Sequence, residues 1–214
     1  MSPSAPNEPP AEGRFGERFD LAFSLARTWH ATQTRKGTDI PYIGHLMHVS
    51  AYVIEAAGSE EQAIAALLHD VLEDAGDMEV YEERRERIGS EFGDVVLALV
   101  DGCTDGSPDE RRAMQWSDRK ARYIAHLEEA DERLLVVSLA DKLHNANALL
   151  RASRRHGPAF FDRFHATAGE TVWYYRSLVD LFSRRLSPGT PAGSMAAELE
   201  RVVTLLESAI HQDG

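Results

Sequence analysis

The stretch Leu67-Leu68-His69-Asp70-Val71-Leu72-Glu73-Asp74 constrains this chain more than any other. It packs four chemically capable side chains into six positions inside a strongly apolar surround. On an ideal helix each residue advances about 100°. With His69 at zero, Glu73 falls at roughly 40°, Asp70 at roughly 100° and Asp74 at roughly 140°. Ile64, Leu67, Leu68, Val71 and Leu72 occupy the opposite arc, from roughly 160° to 300°. Ala63 and Ala66 share the polar side and leave room above it. The spacing predicts an amphipathic helix over residues 59–74, ending near Gly76, with Ser59 and Gln62 as its capping box. A solvated acidic face is the ordinary reading of such a pattern. Surface faces in this chain, however, are written with Glu and Arg, and a His-Asp pair between leucines is a poor solubility device.

A second stretch, Leu139-Ala140-Asp141-Lys142-Leu143-His144-Asn145, looks like its partner. It lies in a segment, residues 134–153, that is apolar nearly all round and so implies a buried helix. Asp141 and Asn145 are an i,i+4 pair on one face. A carboxylate inside such a helix is expensive unless it is paired or held on a metal.

The rest of the chain reads as helices and punctuation, with no repeats and no strand signal, so the expected class is all-α. Helical periodicity covers residues 15–32 through Phe19, Ala22, Phe23, Ala26 and Trp29-His30. A Gly- and Pro-punctuated loop follows over residues 35–42, with Arg35-Lys36 as a local positive point. A helix is predicted from Leu46 to about Ala57, stopped by Gly58, with His45 in its first turn and His48 three residues on, both facing one way. Further helices are expected over residues 80–88, whose charge run 82–87 suits a solvated face, and over the apolar run 95–100. Residues 101–117 read as a long loop. A helix over 118–129 carries Arg119, Lys120 and Arg122, for which a solvated face is the expectation. Residues 160–184 hold an aromatic run of packing type, Phe160, Phe161, Phe164, Trp173, Tyr174, Tyr175 and Phe182. Residues 187–191 form a linker. The amphipathic helix expected over 194–210 offers a stripe that suits a homodimer interface. The resulting domain layout is a disordered leader over 1–13, a main domain over 14–186, and the linker with its helix over 187–214.

Composition narrows the function. The 214 residues carry a net charge of −12, which argues against general nucleic-acid binding but not against a small polyanion held by a few local cations. The single cysteine, Cys103, excludes an intramolecular disulfide and fits a reducing compartment. No apolar run approaches the roughly 20 residues of a membrane span. The four prolines of the first 13 residues carry no signal-peptide pattern, and the expected location is the cytoplasm.

His45, His69, Asp70 and Asp141 are ligand-type side chains on three predicted helices. Imidazoles mixed with carboxylates suit a divalent first-row ion such as Mn, Fe or Zn. Glu73 and Asp74 are placed to orient a water or shuttle its proton. Arg35, Lys36 and Lys142 can hold an anionic substrate. The reaction class that follows is metal-assisted phosphoester or phosphoanhydride hydrolysis.

The order His45 … His69-Asp70 … Asp141 resembles the HD phosphohydrolase superfamily. The likeness extends to Arg35-Lys36-Gly37 … Pro41-Tyr42-Ile43-Gly44-His45, to His69-Asp70-Val71-Leu72-Glu73-Asp74, to Phe92-Gly93, and to Ala140-Asp141-Lys142-Leu143-His144-Asn145. Together these resemble the hydrolase domain of RelA/SpoT-type alarmone enzymes over roughly residues 20–180. The paired motifs are specific together; the His-Asp dipeptide alone is weak. The resemblance implies an all-helical HD-domain bundle with the metal site between core helices. It implies removal of the 3′-pyrophosphate from guanosine tetra- or pentaphosphate, usually with manganese. By motif, it makes His45, His69, Asp70 and Asp141 the metal ligands and Glu73 and Asp74 the catalytic acidic pair. It puts Arg35 and Lys36 in the nucleotide site, and Asn145 and Tyr175 beside the nucleoside. The length leaves no room for the synthetase domain of the larger enzymes, which implies a stand-alone small alarmone hydrolase. Leu46 stands where the family often has Pro, and Ala75 where it tends to have Thr or Ser. The base therefore stays open between guanine and adenine, as do other nucleotides such as NADPH or a nucleoside monophosphate. A non-catalytic alarmone-binding protein is the third reading, which the intact acidic pair disfavours.

Overall fold

The computed structural model describes residues 15–157 and 166–211. The expected leader and Phe160, Phe161 and Phe164 lie outside the described residues. Among the described residues ten helices account for the architecture: α1 (Glu17–Trp29), α2 (Ile43–Glu55), α3 (Glu60–Leu68), α4 (Met78–Phe92), α5 (Asp94–Cys103), α6 (Pro108–Ala113), α7 (Trp116–Glu129), α8 (Glu132–His156), α9 (Ala168–Arg185) and α10 (Pro191–His211). Among the described residues the one extended pairing is an isolated bridge between Thr34 and Pro41. The all-α expectation is borne out. Among the described residues no helix is long and apolar enough to cross a membrane.

Helix α3 is the centre of the bundle, with α1, α2, α5 and α8 packed around it. Its capping box forms as expected: Gln62 N donates to Ser59 Oγ and Ser59 N to Gln62 Oε1. The amphipathic expectation for this helix fails. Every residue from Gln62 to Leu68 is buried, Ala63 and Ala66 included, so no side faces water. The alanines admit neighbouring helices rather than a ligand. Full burial of each leucine there is worth about 1.5–3 kcal/mol.

The helix also stops earlier than periodicity suggests, at Leu68 rather than Asp74. Residues 69–74 continue as a tightened turn, in which Val71 N reaches Leu68 O at 3.1 Å and Ala75 N reaches Leu72 O at 3.3 Å. Such i→i−3 bonds leave carbonyls to be satisfied otherwise. Distant side chains do this: Arg84 Nη1 donates to Val71 O at 2.6 Å, Arg111 Nη1 to Glu73 O at 3.3 Å, and Arg112 Nη2 to Gly76 O at 2.7 Å. The donors are 13 or more residues away in sequence, which is why a helical wheel misses the break.

Other boundaries shift for local reasons. Helix α2 begins at Ile43, so His45 lies inside it, and it ends at Glu55. The left-handed residue behind it is Ala57, at φ 61°, rather than Gly58. Gly58 serves close approach instead: a Cβ there would sit 2.6 Å from Val53 Cγ1. Gly93, at φ 82°, separates α4 from α5, where no side chain is comfortable. The expected loop over 101–117 is largely helical. Ser107 and Glu110 form a second capping box and Pro108 opens α6.

The solvated reading is corrected for Arg119 and Lys120, whereas Arg122 stays exposed as expected. Arg119 Nη1 and Lys120 Nζ both reach Asp105 Oδ2 at 2.6 Å, and Arg122 Nη2 donates to Asp105 O at 3.0 Å. Asp105 is 4% exposed, and burial alone would raise its carboxyl; Lys120 and Arg119 outweigh that and hold it low. At the C-terminal end, α10 lies against α8 and α9 with Leu199, Val202, Val203 and Leu206 fully buried. The apolar stripe behind the dimer expectation is thus covered by the chain's own helices.

Candidate metal centre

The bundle brings together what the sequence holds apart by almost 100 residues. His45 comes from α2, His69 and Asp70 from the turn that ends α3, and Asp141 from the middle of α8. His45, His69 and Asp70 each offer a ligand atom, all within 4.8 Å of one another. His69 Nε2 stands 3.0 Å from Asp70 Oδ2 and His45 Nε2 stands 3.3 Å from it. Asp141 Oδ1 is 3.2 Å from His45 Nε2 and 3.5 Å from His69 Nε2.

The donor set fits a divalent ion. Both imidazole Nε2 atoms are buried without a hydrogen-bond partner among the described residues. Their opposite nitrogens are occupied: His69 Nδ1 donates to Ala66 O at 2.8 Å, and His45 Nδ1 lies 2.8 Å from His144 Nδ1. That arrangement turns the Nε2 lone pairs toward the carboxylates, as outer hydrogen bonds to ligating histidines do. Burial by itself would lower His69, but Asp70 and Asp141 outweigh it and push its pKa up to about 10. Burial would raise both carboxyls. His69 instead draws Asp70 well below the usual range, and Lys142 with the two histidines does the same for Asp141.

A shell of further groups orients the cluster. Tyr42 Oη donates to Asp70 Oδ2 at 2.6 Å. Lys142 Nζ donates to Asp141 Oδ2 at 2.5 Å, and Asn145 Nδ2 donates to Asp141 Oδ1 at 2.6 Å. Arg35 Nη2 in turn donates to Asn145 Oδ1 at 2.5 Å, with its guanidinium 5.3 Å from the Tyr42 ring centroid. Arg35, Lys142 and Asn145 therefore adjoin the cluster. Lys36 sits exposed on the neighbouring turn. Tyr175 is 5% exposed in α9, close enough to Asp141, Lys142 and Arg35 to feel their charge.

The acidic pair is not symmetric. Asp74 turns back toward α1, accepting from Gln33 Nε2 at 2.8 Å, while Gln33 Oε1 lies 2.6 Å from His30 Nδ1. Burial and the charge of Asp70 raise its pKa above the ordinary carboxyl value. Glu73 turns the other way, its Oε1 2.5 Å from Arg111 Nη1. His48 is corrected: it is exposed, its Nδ1 bonded to Gly44 O at 2.7 Å, with its ring on His144 outside the cluster. Sequence reasoning missed His30 and Gln33, which back Asp74, and Arg111, which holds Glu73. Nothing local marks Gln33 and Arg111, which meet the acids across 41 and 38 residues, and His30 backs Asp74 through Gln33.

A family model described as an HD domain matches residues 22–164. The chain belongs to the HD-domain family. This HD domain is 35% identical over 133 residues to a guanosine-3′,5′-bis(diphosphate) 3′-pyrophosphohydrolase of Aquifex aeolicus, covering 62% of the chain and 18% of that protein. It is 32% identical over 143 residues to a protein of Streptomyces coelicolor named GTP pyrophosphokinase, covering 67% of the chain and 16% of that protein. The chain thus spans less than a fifth of the length of either relative. Its fold is similar to that of a metazoan orthologue of SpoT described as hydrolysing ppGpp. That likeness has a TM-score of 0.68 and 24% identity, over 89% of this chain and 97% of the other.

Proposed function

We propose that this HD domain hydrolyses the 3′-pyrophosphate of guanosine tetra- and pentaphosphate, releasing pyrophosphate and leaving GDP or GTP. The observation that carries the reading is the convergence of two partnerless buried imidazole nitrogens and two carboxylates beside an asymmetric acid pair. His45, His69, Asp70 and Asp141 would hold the divalent ion, for which manganese suits the mixed nitrogen and oxygen donors. When bound, such an ion makes water a stronger acid and neutralises charge on a phosphoryl oxygen. The rest falls to the chain's own groups. Glu73, its carboxylate held by Arg111, accepts the proton of the attacking water. Asp74, whose carboxyl pKa is raised above its ordinary value by burial and the charge of Asp70, gives a proton to the ribose O3′ as the P–O bond breaks. Arg35, Lys36 and Lys142 offset the charge of the phosphates, and Asn145 and Tyr175 flank the nucleoside. The pyrophosphohydrolase named among the relatives supports the same substrate class.

The test is pyrophosphate release from guanosine tetraphosphate by purified protein with manganese, with chelator, and by Asp70→Ala. Metal-dependent release that the variant loses is the expected result. No release from intact, metal-loaded wild type rejects this substrate, and the adenine alarmones and NADPH are then assayed in the same way.

A further inference from the structure

Arg111 leaves much of its hydrogen-bonding capacity unused beside the acid pair. It stands on α6, in the segment that reads from sequence as a loop. Its Nη1 serves Glu73 twice, at Oε1 and at the backbone carbonyl, and lies 3.8 Å from Asp105 Oδ1. Its Nη2 and Nε donate no hydrogen bond among the described residues. The neighbouring cations are committed: Arg119 and Lys120 to Asp105, Lys142 to Asp141, and Arg35 to Asn145. The side chain is 28% exposed, so the guanidinium reaches solvent from a half-buried seat. Asp70 and Tyr42 fall within its electrostatic reach, which puts it on the same side of the molecule as the metal centre. A planar fork whose Nε–Nη2 edge is open beside a carboxylate is built to take phosphoryl oxygens.

We propose that Arg111 is a substrate-binding residue that grips the pyrophosphoryl group through Nη2 and Nε while Nη1 keeps Glu73 in place. This deepens the hydrolase reading and rests on it for the substrate. It adds a phosphate contact supplied by α6, apart from the Arg35-Lys36 pair on the loop before α2.

The test titrates metal-loaded protein with inorganic pyrophosphate by calorimetry at a constant free-metal level, and measures product inhibition of hydrolysis. A charge-assisted contact of this kind is worth roughly tenfold or more in binding. Arg111→Met is expected to weaken pyrophosphate binding by that factor and to raise KM for guanosine tetraphosphate in step, with inhibition by GDP unchanged. Arg111→Lys, which keeps the charge without the fork, should fall between, and it decides the matter if Arg111→Met fails to fold. Arg112→Ala loosens the same turn at Gly76 O and is expected to leave pyrophosphate binding within twofold. Wild-type-like pyrophosphate binding by Arg111→Met overturns the proposal. So does equal weakening by Arg112→Ala, and so does a wild type that binds no pyrophosphate. Arg111-dependent binding without release from guanosine tetraphosphate upholds this anion site and rejects the hydrolase reading instead.

Discussion

Replacing Lys142 by Met tests the electrostatics of the centre from its side. Lys142 Nζ lies 2.5 Å from Asp141 Oδ2, with the two side chains 12% and 6% exposed, and 5.1 Å from the Tyr123 ring centroid. Removing one partner of a buried pair costs about 3–5 kcal/mol, because the other charge stays behind unpaired. Asp141 keeps help from Asn145 and from His69, whose pKa of about 10 leaves it protonated at neutral pH. The lower end, about 3 kcal/mol, is therefore expected for metal-free protein. For a chain of this size that is a fall of roughly 6–12 °C in Tm. A divalent ion against Asp141 replaces the missing positive charge, and the loss of Lys142 also removes a cation that repels the ion. Manganese should thus recover most of the lost stability and bind more tightly to the variant than to wild type. Urea denaturation with chelator and with manganese measures both. A loss below about 1 kcal/mol without metal, the value of an exposed pair, would refute the buried-pair argument. The same loss with and without manganese would refute the placement of Asp141 on the metal.

Three other outcomes follow from particular residues. Ala57→Gly relieves the left-handed φ of 61° behind α2 and should stabilise the protein by about 0.5–1 kcal/mol in urea denaturation. Asp74→Asn should fold, lose hydrolysis, and change the pH profile of metal-free stability. A carboxyl whose folded pKa is raised costs nothing below its unfolded value and destabilises as pH climbs through the folded one. Wild type should therefore lose stability across that window and the variant should not; parallel profiles would sink the assignment. Deleting residues 191–214 exposes the partners of Leu199, Val202, Val203 and Leu206 and forfeits about 6–12 kcal/mol, comparable with the whole stability of a domain. A truncated chain that still melts cooperatively near the wild-type temperature would show α10 to be a separable appendage.

The ligand-type residues were legible because each sits in a short motif whose chemistry conflicts with its surroundings. Asp141 is a carboxylate in an apolar helix, and His69-Asp70 interrupts a run of leucines. Most helices were legible from periodicity, and the Ser59 cap from its own four residues, because those signals are local. The start of α6 at Ser107-Pro108 also carried a local mark, a capping box, but was overshadowed by the turn-rich composition around it.

Residue chemistry and helix content were set by the sequence alone: which side chains can ligate, which segment must be buried, and where caps begin. Tertiary structure decided how far α3 runs, because arginines from α4 and α6 take the carbonyls that a continued helix would have used. It decided that Asp74 faces Gln33 while Glu73 faces Arg111, that Arg119 and Lys120 converge on Asp105, and that α10 closes the bundle. Each depends on groups brought together by packing from distant parts of the chain, and a hydrogen bond or ion pair of that kind leaves no mark on the periodicity of either segment.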